Sequence, residues 1–120
     1  MKYMLLVHHD EETFITIDEM KRKQMLDESV QLTHQLHAAG QYVSASPLQP
    51  AETAAIVRVR DGKQTLTDGP FAEMKEQLAG YFLIHAKDLN EAIRIATKVP
   101  GARIGTVEIR PVKEVAGLPV

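Results

Sequence analysis

Every residue from Tyr3 to Val7 is apolar, with Tyr3, Leu5 and Val7 on one side of an extended chain and Met4 and Leu6 on the other. Residues 2–8 are therefore predicted as a strand covered on two faces. Thr16-Ile17-Asp18-Glu19 fits a capping box, with Thr16 as N-cap, Glu19 at the third helical position, and Ile15 and Met20 as a hydrophobic staple. A helix is expected from about 17 to 39, ended by Gly40. Its apolar stripe is Met25, Leu32, Leu36 and Ala39, with Leu26 at the edge and Ser29 inside it.

Residues 41–45 read as a short strand, and Pro47 to Pro50 as a loop. From Ala54 to Arg60, the positions Ala55, Val57 and Val59 alternate with Ile56, Arg58 and Arg60; Asp61-Gly62 then supplies a hairpin turn, and Gln64 to Thr67 returns. Gly80 to Ala86 is a strand with Tyr81, Leu83 and His85 on one face and Phe82, Ile84 and Ala86 on the other. Asp88 and Glu91 repeat the capping spacing and open a helix through Val99, with Leu89, Ala92, Ile93 and Ala96 as its apolar face. Pro100-Gly101 stops it. Ile104 to Arg110 is the last strand, Pro111 blocks its continuation, and residues 112–120 form a tail that needs a partner surface to become ordered.

This order predicts one α+β domain over residues 1–120, a split βαβ arrangement with an inserted β-hairpin. Two helices would cover one face of an antiparallel sheet. The strands are apolar on both sides, and at about 25 cal/mol per Å² a wet apolar face is costly. A homodimer that buries sheet against sheet resolves the conflict.

The chain of 120 residues carries 14 basic and 16 acidic side chains, a net charge of −2, without a Lys/Arg cluster. That lacks the electrostatic footprint of a nucleic-acid binder. There is no cysteine, so disulfides, thiolate metal sites and thiol nucleophiles are excluded. His8, His9 and Asp10 interrupt the first apolar run, which argues against a signal peptide. No run approaches the roughly 20 apolar residues that cross a bilayer, so a cytoplasmic location and no membrane partner are expected.

The candidate site is Thr67-Asp68-Gly69-Pro70-Phe71-Ala72-Glu73, an irregular acidic loop between two strand-like runs. Gly69 permits backbone angles closed to other residues, Pro70 fixes φ, and Asp68 can hydrogen-bond the backbone ahead of it. Two readings fit. The loop either holds Asp68, Phe71 and Glu73 toward a pocket, or is a structural turn. Glu73 and Glu76 would serve as acid or base only if buried.

His8 and His9 lie on opposite sides of their strand, so at most one faces a pocket. His85, beside Tyr81 and Leu83, is a hydrogen-bonded histidine or a pocket base, and His34 is read as surface. The five histidines do not have metal-site spacing: His34 and His37 lack a third ligand, so neither a metal nor a cofactor is expected. Arg58 and Arg60 share one strand face, as do Glu108 and Arg110, and ion pairing is the simplest reading of each pair.

Met1-Lys2-Tyr3-Met4-Leu5-Leu6, the Asp68-Gly69-Pro70-Phe71-Ala72-Glu73 string and Val107-Glu108-Ile109-Arg110-Pro111 together resemble the YCII-related family in its DGPF-motif subgroup, over almost the whole chain. The resemblance implies a ferredoxin-like, dimeric α/β barrel. It implies less about activity: most members of the subgroup have no assigned reaction. Some relatives in the wider family are lyase-like, including dechlorinating enzymes of aromatic metabolites, with a His–Asp pair as catalytic core. Subgroup genes often accompany extracytoplasmic-function sigma factors. The wider family's helix-1 histidine falls on Ser29 here, and Ile104 stands where polar residues are common. An unactivated hydroxyl is a poor base, so Ser29 does not replace the imidazole unaided.

The expected function is binding of a small organic metabolite near the DGPF loop. Asp68 or His8 would move a proton in lyase- or isomerase-like chemistry, and Ser29, Phe71, Tyr81, Glu73 and His85 would contact the ligand. The alternative is a non-catalytic sensor or regulatory partner of a sigma factor.

Overall fold

A computed structural model describes residues Met1–Pro119; Val120, the end of the expected tail, lies outside the described residues. The elements are β1 (Lys2–His9), α1 (Glu11–Thr16), α2 (Glu19–Ala38), β2 (Tyr42–Pro47), β3 (Ala55–Arg60), β4 (Lys63–Asp68), β5 (Gln77–His85), α3 (Leu89–Ala96) and β6 (Thr106–Pro111), with 3₁₀ turns at Ala51–Thr53 and Pro100–Arg103. The result is an α+β fold. Its main sheet has the order β2-β5-β1-β6, every neighbouring pair antiparallel, and β3 and β4 form a separate two-stranded sheet.

The core lies between this sheet and the helices α2 and α3. Tyr3, Leu5 and Val7 of β1 and Phe82 and Ile84 of β5 meet Leu32 and Leu36 of α2 and Ala92, Ile95 and Ala96 of α3, with Val99 beyond. The alternation expected for β1 and β5 is present: the other set, Met4, Leu6, Tyr81 and Leu83, is only half-buried on the second face. Among the described residues no helix packs across that face.

The first helical segment departs from expectation. Asp10 caps α1, its carboxylate accepting from the Glu12 N–H at 3.1 Å and the Thr13 hydroxyl at 3.0 Å. Acidic residues at Glu11 and Glu12 suit the positive end of a helix. Thr16 therefore ends α1, its hydroxyl donating back to the Thr13 carbonyl at 2.6 Å, and is not an N-cap. Asp18 caps α2 instead, accepting from the Met20 N–H at 3.4 Å. A helix of 6 residues is too short for apolar periodicity to announce it. At the far end of α2, the Gly40 N–H reaches the His37 carbonyl at 3.0 Å and the Gln41 N–H the Leu36 carbonyl at 2.8 Å, a Schellman stop at the expected glycine.

In α3, Asp88 caps as expected, accepting from the Glu91 N–H at 2.9 Å. The buried face is Ala92, Ile95, Ala96 and, past the helix, Val99; Leu89 and Ile93 are 49% and 43% exposed, a correction to the predicted stripe. The sheet meets the side of the helix one residue round from Ile93. Ile104 belongs to the preceding turn, and β6 starts at Thr106. Pro111 does not end the pairing: it sits opposite Tyr3, and the Val112 N–H still donates to the Lys2 carbonyl at 2.9 Å. β6 is an edge strand, so the missing N–H of Pro111 faces away from its neighbour.

The hairpin turns at Asp61 and Gly62, both at positive φ (52° and 74°), as a type I′ connection requires. Cross-strand register puts Val57 opposite Leu66 and, two residues on, Val59 opposite Gln64. Val57 and Val59 are each 59% exposed and Leu66 65%, so the hairpin presents an apolar face that the single chain leaves uncovered. The chain is correspondingly spread out: its radius of gyration is 16.3 Å, against about 14 Å for a compact domain of this length.

Candidate functional site

A cavity of about 310 Å³ opens between the end of β1, the stretch of α2 from Arg22 to Thr33, the facing parts of β2 and β5, and the turn that follows α3. Alternation continues from Tyr3, Leu5 and Val7 to His9, which faces the helices and lines this cavity. His8 faces the other way, its Nε2 3.6 Å from Glu108 Oε1 on the open side of the sheet. The last turn before β6 clamps this strand end. A Cβ on Gly105 would overlap the His8 carbonyl oxygen, so only glycine lets the two backbones meet there.

His9 stacks on Phe14 of α1, ring centroids 4.5 Å apart and planes 14° from parallel. The Arg22 guanidinium lies 5.9 Å from the same ring's centroid, and one of its arms donates to the Ile15 carbonyl at 3.3 Å. Burial pushes the His9 imidazole below its ordinary pKa of 6.5, opposed by the nearby carboxylates of Glu11, Asp10 and Glu76. Near neutral pH the ring is therefore an uncharged acceptor and donor.

Ser29 and Thr33 stand one turn apart in the same wall. Their hydroxyls donate to the carbonyls of Met25 (3.0 Å) and Val30 (2.6 Å), which leaves oxygen lone pairs for a guest. The remaining walls are mainly apolar, including the buried Val7, Phe82, Val99 and Pro100, together with Ile104. No Asp, Glu or Lys lines the cavity.

A second hollow, of about 480 Å³, lies between the DGPF loop and the sheet edge and includes His8, Pro70, Phe71 and Glu76. Its apolar walls are exposed: Leu48 47%, Phe71 79%, Met74 66% and Leu78 39%. The loop is tied down by Gly69 N–H to the Ala54 carbonyl at 2.8 Å, and by the Gln77 amide to the carbonyls of Ala72 and Met74, each at 3.0 Å. Thr106 donates to Glu76 at 2.8 Å. Arg58 lies 5.9 Å from the Phe71 ring centroid.

The residues singled out from sequence thus divide. Ser29 and Tyr81 are in the walls of the first cavity, although the Tyr81 hydroxyl sits 3.0 Å from Ser44 Oγ and strand alternation turns its ring to the open face. His8 and Phe71 meet in the second hollow. Asp68, Glu73 and His85 are exposed and line neither. Phe71, being exposed, does not shield Asp68 from water within one chain. His9 was weighed against His8 for a single pocket-facing place, and Phe14 and Arg22 were not singled out. The signal for His9 was the odd-position alternation of β1 carried one step further; Phe14 and Arg22 depend on α1, which the sequence reading did not find.

The profile of the YCII-related domain matches residues 1–116. The chain belongs to the YCII-related family. It is also 31% identical over 113 residues to an uncharacterized protein of Rhizobium meliloti (strain 1021), a match covering 92% of this chain and 91% of that protein. In this YCII-related protein the cavity's imidazole comes from the end of β1, while Ser29 of α2 forms the facing wall. Among the described residues no group of three or more His, Asp or Glu side chains converges on a metal-sized site, and no helix is long and apolar enough to cross a membrane.

Proposed function

We propose that this YCII-related protein binds a small, mostly apolar organic molecule in the cavity between β1 and α2, where His9 accepts or donates a proton. The supporting observation is a cavity walled by core residues that holds a desolvated imidazole stacked on Phe14. Such a group, neutral near pH 7 and next to an apolar hollow, suits general acid–base work in an elimination or isomerisation. The same occupancy without turnover would make the protein a sensor.

The working assembly is a homodimer of ferredoxin-like subunits, with the open face of the main sheet and the apolar side of the β3–β4 hairpin covered by the second copy. The half-buried Met4, Leu6 and Leu83 and the exposed Val57, Val59 and Leu66 support it. A second reading moves proton transfer to the hollow beside the DGPF loop, supported by His8 lying 3.6 Å from Glu108 and sharing that hollow with Phe71.

The test is a methyl and amide NMR screen of small organic molecules, with thermal shift as the parallel measure. Binders are expected to move Val7, His9, Ser29 and Ile104 resonances, and Ser29→Trp, which fills the cavity, should abolish binding. Binders that move only His8, Phe71 and Leu78 would transfer the function to the second hollow.

A further inference from the structure

Arg22 differs from the other arginines that lie outside the hairpin. Arg94, Arg103 and Arg110 each have a carboxylate within 4.0 Å, whereas among the described residues Arg22 has none. It is half-buried, lines the cavity, and spends one N–H on the Ile15 carbonyl. A guanidinium has five N–H donors, so most of its hydrogen-bonding capacity faces no protein partner. A cation with donors to spare at the rim of an apolar hollow is a ready partner for an anion. Phe14 holds the guanidinium beside its ring, and the cation–π contact is a weak substitute for an anion.

We infer that the cavity takes an organic monocarboxylate, its apolar body against Val7, Phe82 and Ile104 and its carboxylate on Arg22. This rests on the cavity being the binding site proposed above. Three features fix the class. The carboxylates of Glu11, Asp10 and Glu76 act on His9 from outside the cavity, and none lines its walls. Arg22 is the one permanent cation among them, and a planar guanidinium matches one carboxylate through two parallel N–H···O bonds. A phosphate dianion would find only half its charge met, since burial keeps the neighbouring His9 neutral near pH 7. The volume of about 310 Å³ stands near the lower end of ligand pockets, so the body is small.

The experiment is calorimetric titration, at pH 7.5, of the full chain with 4-phenylbutanoate, its neutral amide 4-phenylbutanamide, and inorganic phosphate. The acid should bind about tenfold more tightly than the amide, and Arg22→Gln should remove that advantage while leaving the amide within about twofold. Circular dichroism confirms that Arg22→Gln remains folded; Arg22→Lys, which keeps the charge but loses the fork, should restore only part of the affinity. Equal affinity for acid and amide, or an Arg22→Gln protein that still prefers the acid, overturns the carboxylate inference. If both probes bind equally and Ser29→Trp abolishes both, the cavity remains the binding site and only the charge assignment fails. Failure of both organic probes to bind at millimolar concentration overturns the two together, and phosphate binding in competition with the acid overturns the monocarboxylate class.

Discussion

The two faces of the main sheet begin from the same material and end differently. Along β1, Tyr3, Leu5 and Val7 are 2%, 0% and 8% exposed beneath the helices, while Met4 and Leu6 on the opposite face stay half-buried. The covered face ends in His9, stacked and desolvated; the open face ends in His8, beside Glu108. Adjacent residues of one type thus acquire different chemistry from the layer each one meets. A cavity thus arises where the helical cover stops short of the strand end, while the opposite apolar face stays half-buried within one subunit.

Four sets of perturbations sharpen this contrast, the first with the largest effect. Leu5→Ala removes a side chain that is 0% exposed, and should cost about 3 kcal/mol in chemical denaturation. Leu6→Ala on the open face should cost about 1 kcal/mol in an isolated subunit. A cost for Leu6→Ala that grows with protein concentration would mean that a second copy buries that face. Equal, concentration-independent losses would erase the distinction between the faces.

Next comes the hairpin. Val57→Asp places a charge on the apolar side of β3, 59% exposed in the single chain. Sedimentation should show the proposed dimer lost, while subunit stability changes by no more than about 0.5 kcal/mol. An unchanged sedimentation coefficient would remove the hairpin from the proposed interface.

A smaller effect is read from pH. His9 has its folded pKa below the ordinary 6.5, so as pH falls through 6.5 the unfolded chain takes up a proton before the folded one does. Stability is therefore complete above that value, declines as pH drops, and levels off below the folded pKa. Asp10, held below its ordinary 3.8 first by the Thr13 hydroxyl, acts only in the more acid range. His9→Gln should flatten the melting-temperature profile between about pH 7 and 5. His8→Gln, for comparison, should leave the His9 step in place, and a step that vanishes with His8 instead would reverse the assignment.

The smallest expected change is Asp68→Asn. Asp68 is exposed and outside both hollows. Ligand affinity and melting temperature should stay as in the parent protein, whereas His9→Asn should lower affinity in the cavity. If Asp68→Asn abolishes binding or turnover, the DGPF loop carries the site and the cavity does not.

Much of the fold was readable because its signals are local. Asp61-Gly62 gave the hairpin, Asp88 with Glu91 the start of α3, Gly40 the end of α2, and alternation the two side-chain sets of β1 and β5. Local signals also misled where two were close together. Thr16 and Asp18 both offer a side-chain oxygen, and the presence of α1 settled which one caps the long helix. The site was less legible. Ser29 was found through the family resemblance, whose helix-1 histidine falls on it, and Tyr81 through its strand. Attention to the DGPF string drew the reading toward Asp68 and Glu73, which the fold leaves in solvent.

By itself the sequence determined every element except α1, the hairpin turn and the two-sided apolar character of β1, because these follow from residues within a few positions of one another. Only the tertiary structure decided which side of β1 the helices cover, and with it that His9 rather than His8 joins Phe14 and Arg22 at the cavity. A two-residue period separates the faces of a strand but carries no information about which face is covered. That choice is made by packing between segments far apart in the chain, such as β1 against α2 and the turn at Pro100–Arg103.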